Sequence, residues 1–261
     1  MRTPDCTTLM YHNIALDGHS QIDFREWQPA YDVSYENFLA HLAMMHKSDS
    51  SRVHLTFDDG YRSLHQLLVV LKERFRVQCT CFVTSAAIGK SGMLNRSEIR
   101  ELADLGIKLG THSHSHIFLE NLTAQQLQAE VLAPKQILED IIGQAITIMS
   151  LPGGRYDRRA AEYAAANGYH EMYTSIPGFC RIRIVQQPPL ELVPRWVITG
   201  KTSRHELDLI LHTKLWHLFK HRSLYTLGRL GKRLLGNQGY HRMWQTIQHL
   251  ITSTRSERVT S

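Results

Sequence analysis

The stretch that decides the fold is Leu55–Gly60, with the sequence Leu-Thr-Phe-Asp-Asp-Gly, an apolar run that ends in two adjacent carboxylates and a glycine. Apolar and polar side chains alternate from Val53 to Asp58, which is the period-2 pattern of a half-buried β-strand. Asp58 and Asp59 are costly to bury at the end of such a strand unless a positive charge compensates them. A bound metal ion is the natural candidate, so we expect further ligands elsewhere in the chain.

A histidine cluster supplies the second informative stretch, residues 110–116, with the sequence Gly-Thr-His-Ser-His-Ser-His. His112, His114 and His116 alternate with serines at the end of a predicted strand. Imidazole and carboxylate ligands suit zinc and other first-row divalent metals, and a catalytic site combines three protein ligands with open positions for water. His112 and His116 with one of the two aspartates would form such a site.

Strand and helix patterns alternate from residue 7 to residue 198, which predicts a parallel sheet, either open or closed into a barrel. In such folds functional residues gather at the carboxyl ends of the strands. Pro134 is expected to kink or split the long helix predicted over 124–142. One strand is predicted over 192–198, and from about residue 205 the pattern becomes helical and basic.

The net charge of +6 comes from the C-terminal part of the chain. Residues 212–261 hold nine of the 30 Lys and Arg residues but only one of the 24 Asp and Glu residues. The remainder is near neutral, which argues against a nucleic-acid-binding domain. The N-terminus lacks the apolar stretch of a signal peptide and no run of 18 apolar residues is present, so we expect a cytoplasmic protein. Without a C-x-x-C pair, the cysteines are expected to be reduced thiols.

The two motifs together resemble a known family. Thr56–Gly60 and His112–His116 are similar, in order and separation, to the first two motifs of the polysaccharide deacetylases, carbohydrate esterase family 4 with its NodB homology domain. Met10-Tyr11-His12 resembles a common N-terminal feature of bacterial members, and the resemblance covers about residues 7–200. It implies a distorted (β/α) barrel of about seven strands. The chain would then divide into a NodB-like catalytic domain, residues 1–205, and a basic amphipathic helical extension with a disordered C-terminus, residues 206–261.

The resemblance also implies an activity and a set of roles. The activity is metal-dependent hydrolysis of acetyl groups from N-acetylated, less often O-acetylated, sugars of a polysaccharide or glycan. Asp58 would be the general base, while Asp59, His112 and His116 would bind the metal. Zinc is expected, with cobalt, nickel and manganese as alternatives.

The third motif departs from the family pattern. Residues 150–157 resemble the stretch Arg-x-Pro-Tyr/Phe-Gly, but Ser150 stands in the place of the arginine and Gly153 in the place of the aromatic residue. Arg195 is the candidate to supply the missing positive charge to Asp58, with a surface arginine at a strand end as the alternative. Glycine backbone can approach a substrate closely. The predicted substrate contacts in this motif are Pro152, Gly153 and Gly154.

Departure of the amine needs a general acid, and the family's fourth motif, Asp-x-x-Asp-Trp, is not found. The candidates are His12, His114 and His212, of which the first two are also predicted to contact the substrate. His212 closes an apolar run that echoes the fifth motif, although this segment is more typical of an amphipathic helix.

Two alternatives to this enzyme stay open, namely a catalytically silent carbohydrate-binding relative and an amidase that cleaves a non-sugar C–N bond with the same site. The basic extension also has alternatives. It can be a solvated helical face, or it can contact an anionic membrane surface or an assembly partner. Nucleic-acid binding is the weakest interpretation, because aromatic residues do not interleave with the basic ones.

Overall fold

The computed structural model describes residues 6–15, 29–48, 52–75, 77–179, 181–212, 216–223 and 226. The chain divides into two compact units, the first ending at Lys214 and the second beginning at Leu215. In the second unit, residues 216–223 are helical. Most of the predicted basic extension lies outside the described residues, and the predicted domain boundary after residue 205 stays a prediction.

Eleven strands are described in the first unit. They are β1 (Thr7–Tyr11), β2 (Ile14–Ala15), β3 (Val33–Ser34), β4 (Val53–Phe57), β5 (Gln78–Val83), β6 (Lys108–Thr111), β7 (Ile148–Ser150), β8 (Glu171–Tyr173), β9 (Ile182–Val185), β10 (Leu190–Val193) and β11 (Trp196–Val197). Nine of them form one sheet in the order β11-β1-β4-β5-β6-β7-β8-β10-β9, while β2 and β3 pair separately. All neighbours in the large sheet are parallel except β9, which runs antiparallel to β10.

The predicted α/β fold, a distorted (β/α) barrel of about seven strands, is confirmed, and the barrel takes the form of a curled, mostly parallel sheet. The middle of the sheet consists of seven parallel strands, which agrees with the predicted strand number. The short β11 and the antiparallel β9 extend it to nine strands and form its two edges. The sheet is therefore a curled half-barrel, and its central strands are buried on both faces, as β1 and β4 are along their whole length.

The prediction of a single strand over 192–198 is wrong. The segment forms two strands on opposite sides of the curl, because β10 pairs with β8 whereas β11 pairs with β1. Pro194 has no N–H to continue the ladder, and the Arg195 N–H donates to the Ile176 carbonyl. Since three residues of extended chain span at most about 11 Å, this connection brings the two ends of the curl close together and places Arg195 between them.

The helices pack around the sheet. They are α1 (Tyr35–Lys47), α2 (Leu64–Val70), α3 (Arg96–Asp104), α4 (Ala124–Leu127), α5 (Ala133–Ile142), α6 (Arg158–Ala166) and α7 (Arg204–Leu211). Pro134 lies in the first turn of α5, and a π-helical turn over Gln128–Leu132 separates α5 from α4. The predicted split of this helix is thus confirmed, because proline lacks the N–H that an unbroken helix needs at this point.

Cys79 and Cys81 are buried thiols on β5, and Cys6 is a partly exposed thiol. Among the described residues, no helix is both long enough and apolar enough to cross a membrane.

Candidate metal centre and active site

The aspartate pair follows directly after β4. The Asp58 N–H donates to the Tyr11 carbonyl at 3.0 Å and so extends the pairing with β1 by one residue. Asp59 then adopts a left-handed backbone conformation with φ 74°, which is strained for a residue with a side chain. In an extended strand adjacent side chains would point to opposite faces. The left-handed residue breaks this alternation, so both carboxylates can face one site.

The histidine loop, residues 112–116, follows β6, which lies two strands away from β4 in the sheet. The carboxyl ends of parallel strands meet at one edge of the sheet, and the loop therefore approaches the aspartates. The His112 Nε2 atom lies 3.4 Å from Asp59 Oδ1, and the His116 Nε2 atom lies 3.3 Å from the same oxygen. His112 Nε2 is also 3.9 Å from Asp58 Oδ2.

These three side chains fit a divalent metal. One ligand atom each from Asp59, His112 and His116 lies within 4.8 Å of the others. Two ligands at about 2.1 Å from a tetrahedral metal are about 3.4 Å apart, which matches the separations seen here. Burial lowers the pKa of His112 to about 3 against the opposing effect of Asp58, so its imidazole is neutral and can offer a lone pair. His114 is not part of this group.

Ser150 holds the His112 ring from behind. Its Oγ lies 2.5 Å from His112 Nδ1. When Nε2 faces Asp59 as a ligand atom, Nδ1 carries the proton and donates it to Ser150, which fixes the tautomer and the ring plane. In the sequence pattern, Ser150 shows only as the residue that stands in place of the motif's arginine. Its position at the end of β7, beside β6, was the available signal for this contact.

Arg195 reaches Asp58 from the crossover between β10 and β11. Its Nη1 and Nη2 atoms donate to the two carboxylate oxygens at 2.7 and 2.8 Å. The guanidinium is fully buried, so Arg195 is not a surface residue. It also donates to the Thr174 carbonyl and to Thr56 Oγ1.

This ion pair determines the charge state of Asp58. Burial alone raises the pKa of the carboxyl, but the positive charge of Arg195 and its hydrogen bonds, together with His112, outweigh burial and hold the pKa well below its usual range. Asp58 is therefore ionised at neutral pH. The second aspartate has a different partner, because the buried Tyr61 hydroxyl hydrogen-bonds to Asp59; burial and the negative charge of Asp59 raise the pKa of that phenol.

The three candidate general acids lie in different places. His12 follows β1, lies 4.5 Å from Tyr31 between ring centroids, and interacts electrostatically with Asp58. Its Nδ1 is buried and has no hydrogen-bond partner among the described residues. His114 instead hydrogen-bonds to Ser85 Oγ at 2.8 Å.

His212 ends α7, where its Nδ1 lies 2.9 Å from the carbonyl of Asp208 in the same helix. Its segment is helical, which agrees with the amphipathic pattern of the sequence. His12 therefore combines an electrostatic interaction with Asp58 and a buried ring nitrogen that has no hydrogen-bond partner among the described residues.

The third motif forms a tight turn, Pro152–Gly154, in which Gly153 and Gly154 have φ values of 59° and 67°. A Cβ on residue 153 would lie 2.6 Å from the Phe118 ring. A Cβ on residue 154 would lie 2.1 Å from the Oγ of Ser175. Phe118 is still about one third exposed. The aromatic ring in this region therefore comes from the segment after the histidine loop, which the sequence did not reveal.

The comparisons with known proteins agree with this arrangement. A family model described as polysaccharide deacetylase matches residues 46–172, the segment with both the aspartate pair and the histidine loop. YxkH of Bacillus subtilis, whose name places it among the polysaccharide deacetylases, is 28% identical over 179 residues, in a match that covers 65% of this chain and 64% of YxkH. The peptidoglycan-N-acetylmuramic acid deacetylase PdaA of Bacillus subtilis is 29% identical over 127 residues, which are 48% of this chain and 46% of PdaA.

Among solved structures, the polysaccharide deacetylase BC0361 from Bacillus cereus matches with a TM-score of 0.64 and 22% identity, covering 79% of this chain and 68% of that chain. This likeness concerns the fold. The matched part of the chain spans less than two thirds of the length of YxkH and less than half that of PdaA. The resemblance predicted from the two motifs is confirmed by the family model and by these relatives: the polysaccharide deacetylase model matches residues 46–172, just under half of the chain.

Proposed function

We propose that this chain is a metal-dependent deacetylase that removes acetyl groups from N-acetylated sugars of a glycan. The observation that carries the proposal is that two groups of side chains lie next to each other at one edge of the sheet. The first group consists of Asp59, His112 and His116, which have the donor set and spacing of a divalent metal site. The second is a buried carboxylate, Asp58, that Arg195 keeps ionised.

Asp59, His112 and His116 would hold the metal, for which we propose zinc, with cobalt, nickel and manganese as alternatives. When bound, a divalent metal supplies polarisation of the acetyl carbonyl and acidifies the attacking water. Ser150 keeps the His112 ring oriented for this task through its contact with Nδ1.

Asp58 would accept the proton of the attacking water. Each carboxylate oxygen has two lone pairs, so the two hydrogen bonds from Arg195 leave acceptor positions on Asp58. The same ion pair makes Asp58 a weak base, and proton transfer to it therefore requires an acidified water. Arg195 thus fixes the orientation of the base and determines its proton affinity.

The amine that leaves would receive its proton from a histidine, and we propose His12. Burial lowers the pKa of His12 to about 4, so its ring is neutral at pH 7 and would relay to the amine the proton that Asp58 has accepted; its buried Nδ1 has no described hydrogen-bond partner. His114 is engaged with Ser85, so we propose for it a role in supporting the loop beside the substrate. Pro152, Gly153 and Gly154 are the proposed substrate contacts of the third motif.

The test is acetate release from N-acetylglucosamine oligomers and from peptidoglycan fragments by metal-loaded protein. We expect release with the wild type and none with Asp58→Asn, which keeps the three metal ligands. If metal-loaded wild-type protein releases no acetate from any N- or O-acetylated glycan, the silent carbohydrate-binding relative becomes the better account. Release from simple amides but not from glycans would favour the amidase.

We also propose that the basic extension contacts the anionic surface of a membrane at the cytoplasmic side. The charge count of residues 212–261 supports this contact, as do the exposed aromatic side chains of Trp216 and Phe219 in the described part. Co-sedimentation with anionic but not with neutral vesicles would support it, and equal recovery with both would contradict it. Trp216→Ala should weaken that co-sedimentation.

A further inference from the structure

The histidine loop has an unusual backbone for the part of the chain that carries two candidate metal ligands. Ser113 and His116 both have left-handed conformations, with φ values of 58° and 61°. Neither is glycine, so both conformations are strained and persist only where surrounding contacts hold them. The groups that hold this loop therefore also determine whether His112 and His116 point to the same place.

One buried carboxylate accepts three hydrogen bonds from the loop. Glu130 Oε2 accepts from the backbone N–H groups of His114 and Ser115, at 3.0 and 2.9 Å. Glu130 Oε1 accepts from the Ser115 hydroxyl at 2.6 Å. Glu130 is 5% exposed, so these three hydrogen bonds are made away from water, and the loop satisfies both of its side-chain oxygens.

The helix that carries Glu130 is itself irregular. Glu130 lies in the π-helical turn over Gln128–Leu132, between α4 and α5. A π-turn inserts one residue, which rotates the following side chains by about 100° relative to an unbroken α-helix. The start of α4 is fixed by a capping box between Thr123 and Gln126, so the rotation is taken up within the turn that presents Glu130 to the loop.

We propose that Glu130 is a positioning residue of the metal centre. Its carboxylate clamps the backbone at His114 and Ser115, between the two ligand histidines, so that His112 and His116 converge on Asp59. Glu130 acts through the backbone and contributes no ligand atom. The inference rests on the metal site of the proposed function and adds to it a residue that belongs to none of the sequence motifs.

The experiment compares Glu130→Ala with a matched control, Glu139→Ala, in the full chain. Glu139 lies in α5 and also accepts a hydrogen bond from a backbone N–H, that of Ile146 at 2.9 Å. This contact does not involve the histidine loop. Zinc affinity is measured by calorimetry, and the ligand geometry by the visible absorption spectrum of Co²⁺-loaded protein. We expect Glu130→Ala to weaken zinc binding by about 10- to 100-fold and to change the cobalt spectrum. Glu139→Ala should leave both unchanged.

Glu130→Gln separates geometry from charge. The Gln oxygen can accept from both backbone N–H groups while its NH₂ group donates to Ser115 Oγ. We therefore expect Glu130→Gln to bind zinc with an affinity within about threefold of the wild type and to keep the wild-type cobalt spectrum. Equal zinc affinity in Glu130→Ala and wild type would overturn the proposal, as would equal weakening in Glu139→Ala or no recovery in Glu130→Gln.

A second measurement distinguishes failure of this inference from failure of the proposed function. If the wild type itself bound no zinc, the proposed function would fail, but amide hydrogen exchange at His114 and Ser115 would still test the clamp in metal-free protein. We expect exchange at these two amides to be at least tenfold faster in Glu130→Ala than in Glu139→Ala. Equal exchange rates would contradict the clamp.

Discussion

Removal of Arg195 is the perturbation with the clearest consequence for this fold. Arg195→Met keeps the length and the apolar stem of the side chain but leaves Asp58, which is 1% exposed, without its countercharge. The variant also loses two carboxylate hydrogen bonds of 2.7 and 2.8 Å. Breaking a buried ion pair by removal of one partner costs about 3–5 kcal/mol. We expect a loss of this size in the free energy of unfolding at pH 7.

The pH dependence gives the prediction a sign. In the wild type the pKa of Asp58 is depressed, so its ion pair contributes stability above the unfolded pKa of about 3.9 and loses it as the pH falls. In Arg195→Met, burial without the countercharge raises that pKa. The folded variant then gains stability, relative to the wild type, as the pH falls through the raised value. The difference in the free energy of unfolding between the wild type and Arg195→Met should therefore decrease by about 1.4 kcal/mol for each unit by which the pH falls between the raised pKa and the unfolded pKa.

The assay is urea unfolding of metal-free protein, followed by circular dichroism at pH 7 and pH 5. Arg158→Met is the control, because Arg158 forms an exposed ion pair with Glu162 on α6 and its loss should leave stability unchanged. The double variant Asp58→Asn with Arg195→Met should recover part of the stability. A loss below about 1 kcal/mol at pH 7, or an identical loss at pH 5, would refute the reasoning about this ion pair.

Three further predictions concern the groups around the metal centre. Ser150→Ala removes the partner of His112 Nδ1 and should weaken zinc binding by about 10-fold or more in calorimetry, whereas unchanged affinity would count against the orienting role. Gly153→Ala puts a Cβ 2.6 Å from the Phe118 ring at a positive φ and should lower stability by more than about 1 kcal/mol in urea unfolding; Gly143→Ala, also at positive φ but with nothing within 4 Å, is the control that isolates the clash. Metal removal with a chelator should abolish acetate release, and zinc should restore it; full activity of the metal-free protein would argue for a different mechanism.

Much of the site was predictable because its signals are local in the sequence. The adjacent carboxylates follow β4 and the alternating histidines follow β6. Because the strands are parallel, both groups lie at the same edge of the sheet, and the distances from His112 and His116 to Asp59 agree with this. Arg195 was named as a partner of Asp58 although 137 positions separate the two residues. That prediction came from a gap in the motif pattern and not from any local feature of Arg195.

The remaining parts depend on long-range pairing that local patterns do not encode. Residues 192–198 look like one strand, because only the register of the whole sheet separates β10 from β11. Ser150 and Phe118 were missed for the same reason. Each acquires its role from a neighbour that is distant in the sequence, His112 for Ser150 and Gly153 for Phe118.

The two adjacent aspartates are proposed to have different roles, Asp59 as metal ligand and Asp58 as general base. Zinc stoichiometry and acetate release, measured side by side in Asp58→Asn and Asp59→Asn, test this assignment most directly. We predict that folded Asp58→Asn retains one bound zinc and releases no acetate, while Asp59→Asn loses at least about 100-fold in zinc affinity. Wild-type zinc affinity in Asp59→Asn, or acetate release at the wild-type rate in Asp58→Asn, would contradict the account.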